Sequence, residues 1–219
     1  MTDDRRSGIA LIAGSLGGFL TMAIHPTGGG SLSPDQAAHL AIVSAIAHSL
    51  AIVSFVVVFL GAYGLTQRIA REDRIAFAAL VTYGFACVAI LIAAAVSGWI
   101  VPSIIRMRIH DVPTAADQWR MIIAAIFQIN QAFSRIYSVA ASVSIILWSV
   151  SALRHGGFAR GIALYGCVIA PLLILGIIIG HLRLDVHGMA IVAVAQGVWF
   201  IMVGAQLSSR PAPSVPSHS

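Results

Sequence analysis

The sequence predicts an all-α fold: a polytopic membrane bundle of six transmembrane helices with both termini in the cytoplasm. Three observations predict it. The chain is 58% apolar and only 10% charged, against about 25% charge in soluble domains. It has thirteen arginines, no lysine and eight carboxylates, and every carboxylate falls outside the long apolar segments. Those segments number six and approach or exceed the ~20 residues that a spanning helix needs. A soluble core has no use for so much apolar surface.

The segments are Gly8–Ile24, Ala37–Leu65, Ile75–Ile100, Trp119–Leu153, Gly161–Gly180 and Met189–Leu207. The first follows Arg5 and Arg6, as a signal peptide would, but ends in Ile-His-Pro-Thr rather than a small-x-small cleavage site. It therefore reads as a helix. Pro26, Pro34 and Pro102 lie at segment ends, while Pro171 lies inside the fifth segment, where a kink is expected. Gly14, Gly17 and Gly18 in the first helix, and Ala190, Ala193, Gly197 and Gly204 in the sixth, permit close backbone approach. The domain expectation is one membrane domain over residues 1–209, followed by a Pro/Ser-rich disordered tail over 210–219.

Orientation follows from arginine bias. With the N-terminus inside, Arg5, Arg6, Arg68, Arg71, Arg74, Arg154, Arg160 and Arg210 are cytoplasmic. Arg106, Arg108, Arg120 and Arg183 are then external. The expected location is a cell membrane, the bacterial inner membrane first. Trp99 and Trp119 are expected to mark the outer interface and Trp148 the inner one. The basic balance reads as this topology signal and not as nucleic-acid binding, which needs a solvated basic face with aromatics.

Several chemistries are excluded. Without lysine there is no retinal or pyridoxal Schiff base and no Ser–Lys dyad. Cys87 and Cys167 both fall in apolar segments and form no CxxC motif, so they read as small packing residues. No P-loop, GxSxG, HExxH, dinucleotide turn or histidine-box cluster occurs.

The fourth segment is the one with chemical content. Gln128, Gln131, Arg135, Ser138 and Ser142 follow i, i+3, i+7, i+10, i+14, one stripe of a helix. Asn130, Ser134 and Tyr137 flank it. In lipid such a face must be covered, because unsatisfied polar groups are costly, so the stripe is expected to face the bundle. It serves either as interhelical glue or as the lining of a cavity. Arg135 favours the cavity: it keeps its proton, and no segment offers a carboxylate. Arg135, Gln128, Gln131, Asn130, Tyr137 and Ser138 are the candidate ligand-binding residues.

The histidines are one-sided. His25, His39, His110, His181 and His187 fall near the outer surface and His48 inside the second segment. His181, Asp185 and His187 share one short turn. Imidazole with carboxylate suits a transition metal, and haem would need histidines facing each other across the bundle. His48, His181, His187 and Asp185 are therefore the candidate metal set. Together with the stripe they are expected to line one outward-facing His/Arg pocket. Three functions fit. The first is a haem- or metal-binding membrane oxidoreductase or electron carrier. The second is a metal-free protein that binds or transports a lipid, quinone or small anion. The third is an accessory subunit of a membrane complex, with itself or another membrane protein as partner.

Overall fold

The computed structural model describes residues 3–26, 33–69, 73–108 and 116–209. The expected tail 210–219 lies outside the described residues, as do Arg71, His110 and Asp111. Among the described residues every regular element is helical: α1 (Asp3–Ile24), α2 (Pro34–Ile69), α3 (Arg74–Ala95), α4 (Val101–Arg108), α5 (Ala116–His155), α6 (Arg160–Ile178) and α7 (Val186–Ser208). A π-helical turn, Val96–Ile100, joins α3 to α4 without a break. Six helices among the described residues are long and apolar enough to cross a membrane, which is consistent with the multi-pass bundle that the composition implies.

The helix ends have local causes. Asp73 caps α3 by accepting a bond from the Ile75 amide at 2.9 Å, which holds its carboxyl below the usual carboxylate range. Asp185 caps α7 in the same way, accepting from Gly188 N at 2.9 Å. Such caps satisfy amides that the first helical turn leaves without partners. α5 ends at Gly156, whose φ of 79° is readily reached only without a Cβ. α6 runs through Pro171 as helix.

Three contacts align the helices at the end that holds both termini. Asp4 pairs with Arg68, joining the start of α1 to the end of α2. Asp73 and His155 stand 3.6 Å apart, joining α3 to α5. Gln206 accepts from the Ala159 amide at 2.7 Å, joining α7 to α6. From this common floor the helices differ in length: α1, α6 and α7 have 22, 19 and 23 residues, whereas α2 and α5 have 36 and 40. At ~1.5 Å per residue the short ones match a ~30 Å hydrocarbon layer, and the long ones run on by ~20–27 Å. The extra length of α2, α4 and α5 therefore lies at the far end.

α1 threads between α2 and α7 at glycine contacts. A Cβ on Gly8 would stand 2.4 Å from Gly204 O, and one on Gly14 would stand 2.8 Å from Ser54 O. The core is aromatic near the termini end. Trp148 and Trp199 stack at 6.0 Å, with Tyr83 and Phe200 edge-on to Trp148. Trp148 has 0% exposure, and its Nε1 donates to Thr66 Oγ1 at 3.0 Å. It is a core residue and not the interface marker expected of it. Trp99, 52% exposed, has the exposure an interface residue needs.

Candidate functional site

A polar layer crosses the bundle where the short helices end. Its centre is the π-helical turn. There the Val101 amide bonds to Val96 O, five residues back, so the α-helical pairing is interrupted and neighbouring carbonyls accept from elsewhere. Asn130 of α5 donates its Nδ2 to Ala93 O at 3.0 Å and to Ser97 Oγ at 2.6 Å. Ser44 of α2 donates to Ser97 O at 3.1 Å. Two side chains from different helices thus secure the turn from both flanks.

His48 lies beside it, only 8% exposed, so close to Gly98 that a Cβ there would stand 2.5 Å from the His48 Cβ. His48 Nδ1 is 2.7 Å from Ser44 O. A carbonyl only accepts, so Nδ1 carries the proton, and in the neutral ring Nε2 keeps its lone pair. His25, just past α1, meets His48 edge to face with ring centroids 5.0 Å apart. Its Nδ1 is 3.2 Å from Pro26 O, which assigns its tautomer in the same way. Burial pushes the His25 imidazole below its ordinary value, and the bond to Pro26 offsets only part of this. His25 is therefore neutral at pH 7. Two imidazoles, each fixed through Nδ1, turn basic Nε2 atoms to their surroundings. This arrangement can accept hydrogen bonds or hold a ligand through nitrogen.

The residues expected to share one pocket have different immediate neighbours. His48 packs with His25 and Gly98 on the α1 and α3 side. His181, Asp185 and His187 are exposed at the α6–α7 turn, which α5 reaches through Gln131 Nε2 donating to Leu184 O at 3.0 Å. Asp185 is already engaged as the cap of α7. Among the described residues no group of three or more His, Cys, Asp or Glu side chains could hold a metal ion.

The α5 stripe divides. Ser138 and Ser142 are fully buried and Gln131 is half-buried, but Gln128 and Arg135 are exposed. The side-chain amide of Gln196, on α7, bonds to Ser138 O at 3.2 Å and Ser142 Oγ at 3.0 Å. Tyr137 is buried against Phe55, centroids 5.2 Å apart. Arg135 lies four residues, or ~6 Å, from Gln131 toward the middle. It makes no ion pair with the described residues. Its side chain is exposed, so no internal acid is required.

Ser44, Ser97 and Gln196 carried no expectation from the sequence, and His25 carried one only as an outer-side histidine. An amide inside an apolar span was a usable signal for Gln196. The π-turn left none, since one extra residue per turn has no composition of its own.

Below the polar layer, the α2–α3 seam opens into an apolar groove of about 470 Å³ lined by Phe55, Phe59, Gly84, Phe85, Val88 and Leu91, among others. Phe85 and Val88 are 69% and 57% exposed, so the groove faces outward from the bundle. Comparison with protein-family models, curated proteins and solved structures finds no match for this chain.

Proposed function

We propose that this chain is a multi-pass protein of the bacterial inner membrane, both termini cytoplasmic, that binds an amphipathic molecule drawn from the bilayer. The head sits at the polar layer and the apolar chain lies along the α2–α3 seam. The arginine bias supports the orientation, which puts the polar layer at the outer interface. One observation carries the binding reading: head site and groove share one seam. His48, Phe55 and Phe59 follow i, i+7, i+11, one stripe of α2; opposite them Gly98, in the π-helical turn, packs on His48, and Leu91 and Gly84, seven residues apart on α3, line the groove. A basic Nε2 suits a head that donates a hydrogen bond, and an outward-facing groove suits a single chain. Quinols and phospholipids share this chemistry.

The test is native mass spectrometry of protein extracted in mild detergent, with the bound molecule identified after solvent extraction. The expected result is about one equivalent of quinol, recovered in air as its quinone, or of a phospholipid with an amine or hydroxyl head. It should be lost in Gly84→Trp, which fills the groove, and reduced in His48→Leu. Retention of the same molecule by both variants, or none bound by the parent, overturns the reading. A Soret band or stoichiometric metal would instead support the cofactor reading. A partner subunit is favoured by one other feature, the exposed Met121 and Phe127 on the far-end extension of α5. The same spectra would show its mass.

A further inference from the structure

Five helices meet in the middle of the bundle around a crevice of about 40 Å³, separated from the groove by Phe55, which lines both. Its lining includes Ser15, Gly18, Ser54, Tyr83, Tyr137 and Gln196. Gln196 is only 2% exposed and Ser15 only 6%. The Gln196 amide nitrogen faces Ser138 O and Ser142 Oγ, which turns its Oε1 the other way. That Oε1 and the Ser15 hydroxyl are both buried without a hydrogen-bond partner.

Buried polar atoms in folded proteins nearly always have partners. Here two orphaned groups line one crevice of matching size. A water needs ~10–15 Å³ of such space and two to four polar contacts, so about 40 Å³ holds roughly three. We infer that the crevice is a built water site: Gln196 Oε1 accepts from one molecule, Ser15 bonds to another, and the cluster links α1 to α5 and α7 through the Gln196 amide. Gly18 keeps the space open, since no atom lies within 4 Å of where its Cβ would stand.

The alternative is a dry void, and the two differ in sign. In lipid vesicles, magic-angle-spinning NMR can measure magnetisation transfer from water to the Gln196 side-chain amide. Transfer as fast as that to exposed far-end residues is expected in the parent, at least threefold slower in Gly18→Ala, with a lower unfolding midpoint for that variant. In a dry void the added methyl fills empty space and replaces a helical glycine, so the midpoint rises. Absent transfer in the parent, transfer unchanged by Gly18→Ala, or a raised midpoint each overturns the inference. The parent measurement needs no variant and decides the matter even if Gly18→Ala fails to fold.

Discussion

Replacing Asn130 with leucine tests whether the π-helical turn is held from outside its own helix. Leucine keeps the volume and removes both donors, to Ala93 O and Ser97 Oγ. A net hydrogen bond contributes ~0.5–1.5 kcal/mol in proteins generally and averages ~0.6 kcal/mol between membrane helices. Two bonds lost therefore cost ~1–3 kcal/mol, about a five- to 150-fold change in the unfolding equilibrium. Ser44→Ala removes one bond and should cost ~0.5–1.5 kcal/mol. Both act on Ser97, so the double variant should depart from additivity by ~0.5 kcal/mol or more. The assay is reversible unfolding in mixed micelles of mild detergent and dodecyl sulfate, followed by tryptophan fluorescence. Both single variants within ~0.5 kcal/mol of the parent, the range of ordinary surface changes, would refute the reasoning. So would strict additivity.

Three further outcomes are expected. Asp185→Ala should lose ~0.5–2 kcal/mol by removing the α7 cap, while Asp185→Asn, still a capping residue, should stay near the parent; equal losses in both would point to a charge role instead. Arg135→Leu should fold normally, within ~0.5 kcal/mol of the parent, because the side chain is exposed and unpaired among the described residues. A variant that cannot be purified folded would show Arg135 to be structural. His25 titrates below its ordinary 6.5 because burial opposes its charge. Its contribution to stability is therefore fully present above pH 6.5 and is lost as pH falls from there through the lower folded value. Thermal midpoints between pH 7.5 and 5 should fall less for His25→Phe than for the parent, and parallel curves would show that His25 carries none of the dependence.

The apolar spans could be read from the residues because a bilayer imposes a severe condition: a spanning segment must satisfy its own backbone and exclude charge. Length, apolarity and the exile of all eight carboxylates to segment ends are marks of that condition. The six long helices fall within about a turn or two of the apolar segments at most ends, though α2, α3–α4 and α5 continue past them. Helical periodicity also grouped the polar residues of α5 onto one stripe. It could not say which part of that stripe a neighbour covers. α7 covers Ser138 and Ser142 through Gln196, whereas Gln128 and Arg135, the arginine that pointed most strongly to a cavity, stay exposed. Tertiary packing likewise chose the companion of His48. His25 meets it at 5.0 Å because glycine contacts draw α1 against α2, a consequence of helix placement that residue type alone does not carry. Periodicity acts within a helix and sets directions about its axis. The partner found in each direction depends on which helices become neighbours and at what height, and that is settled only when the whole chain packs.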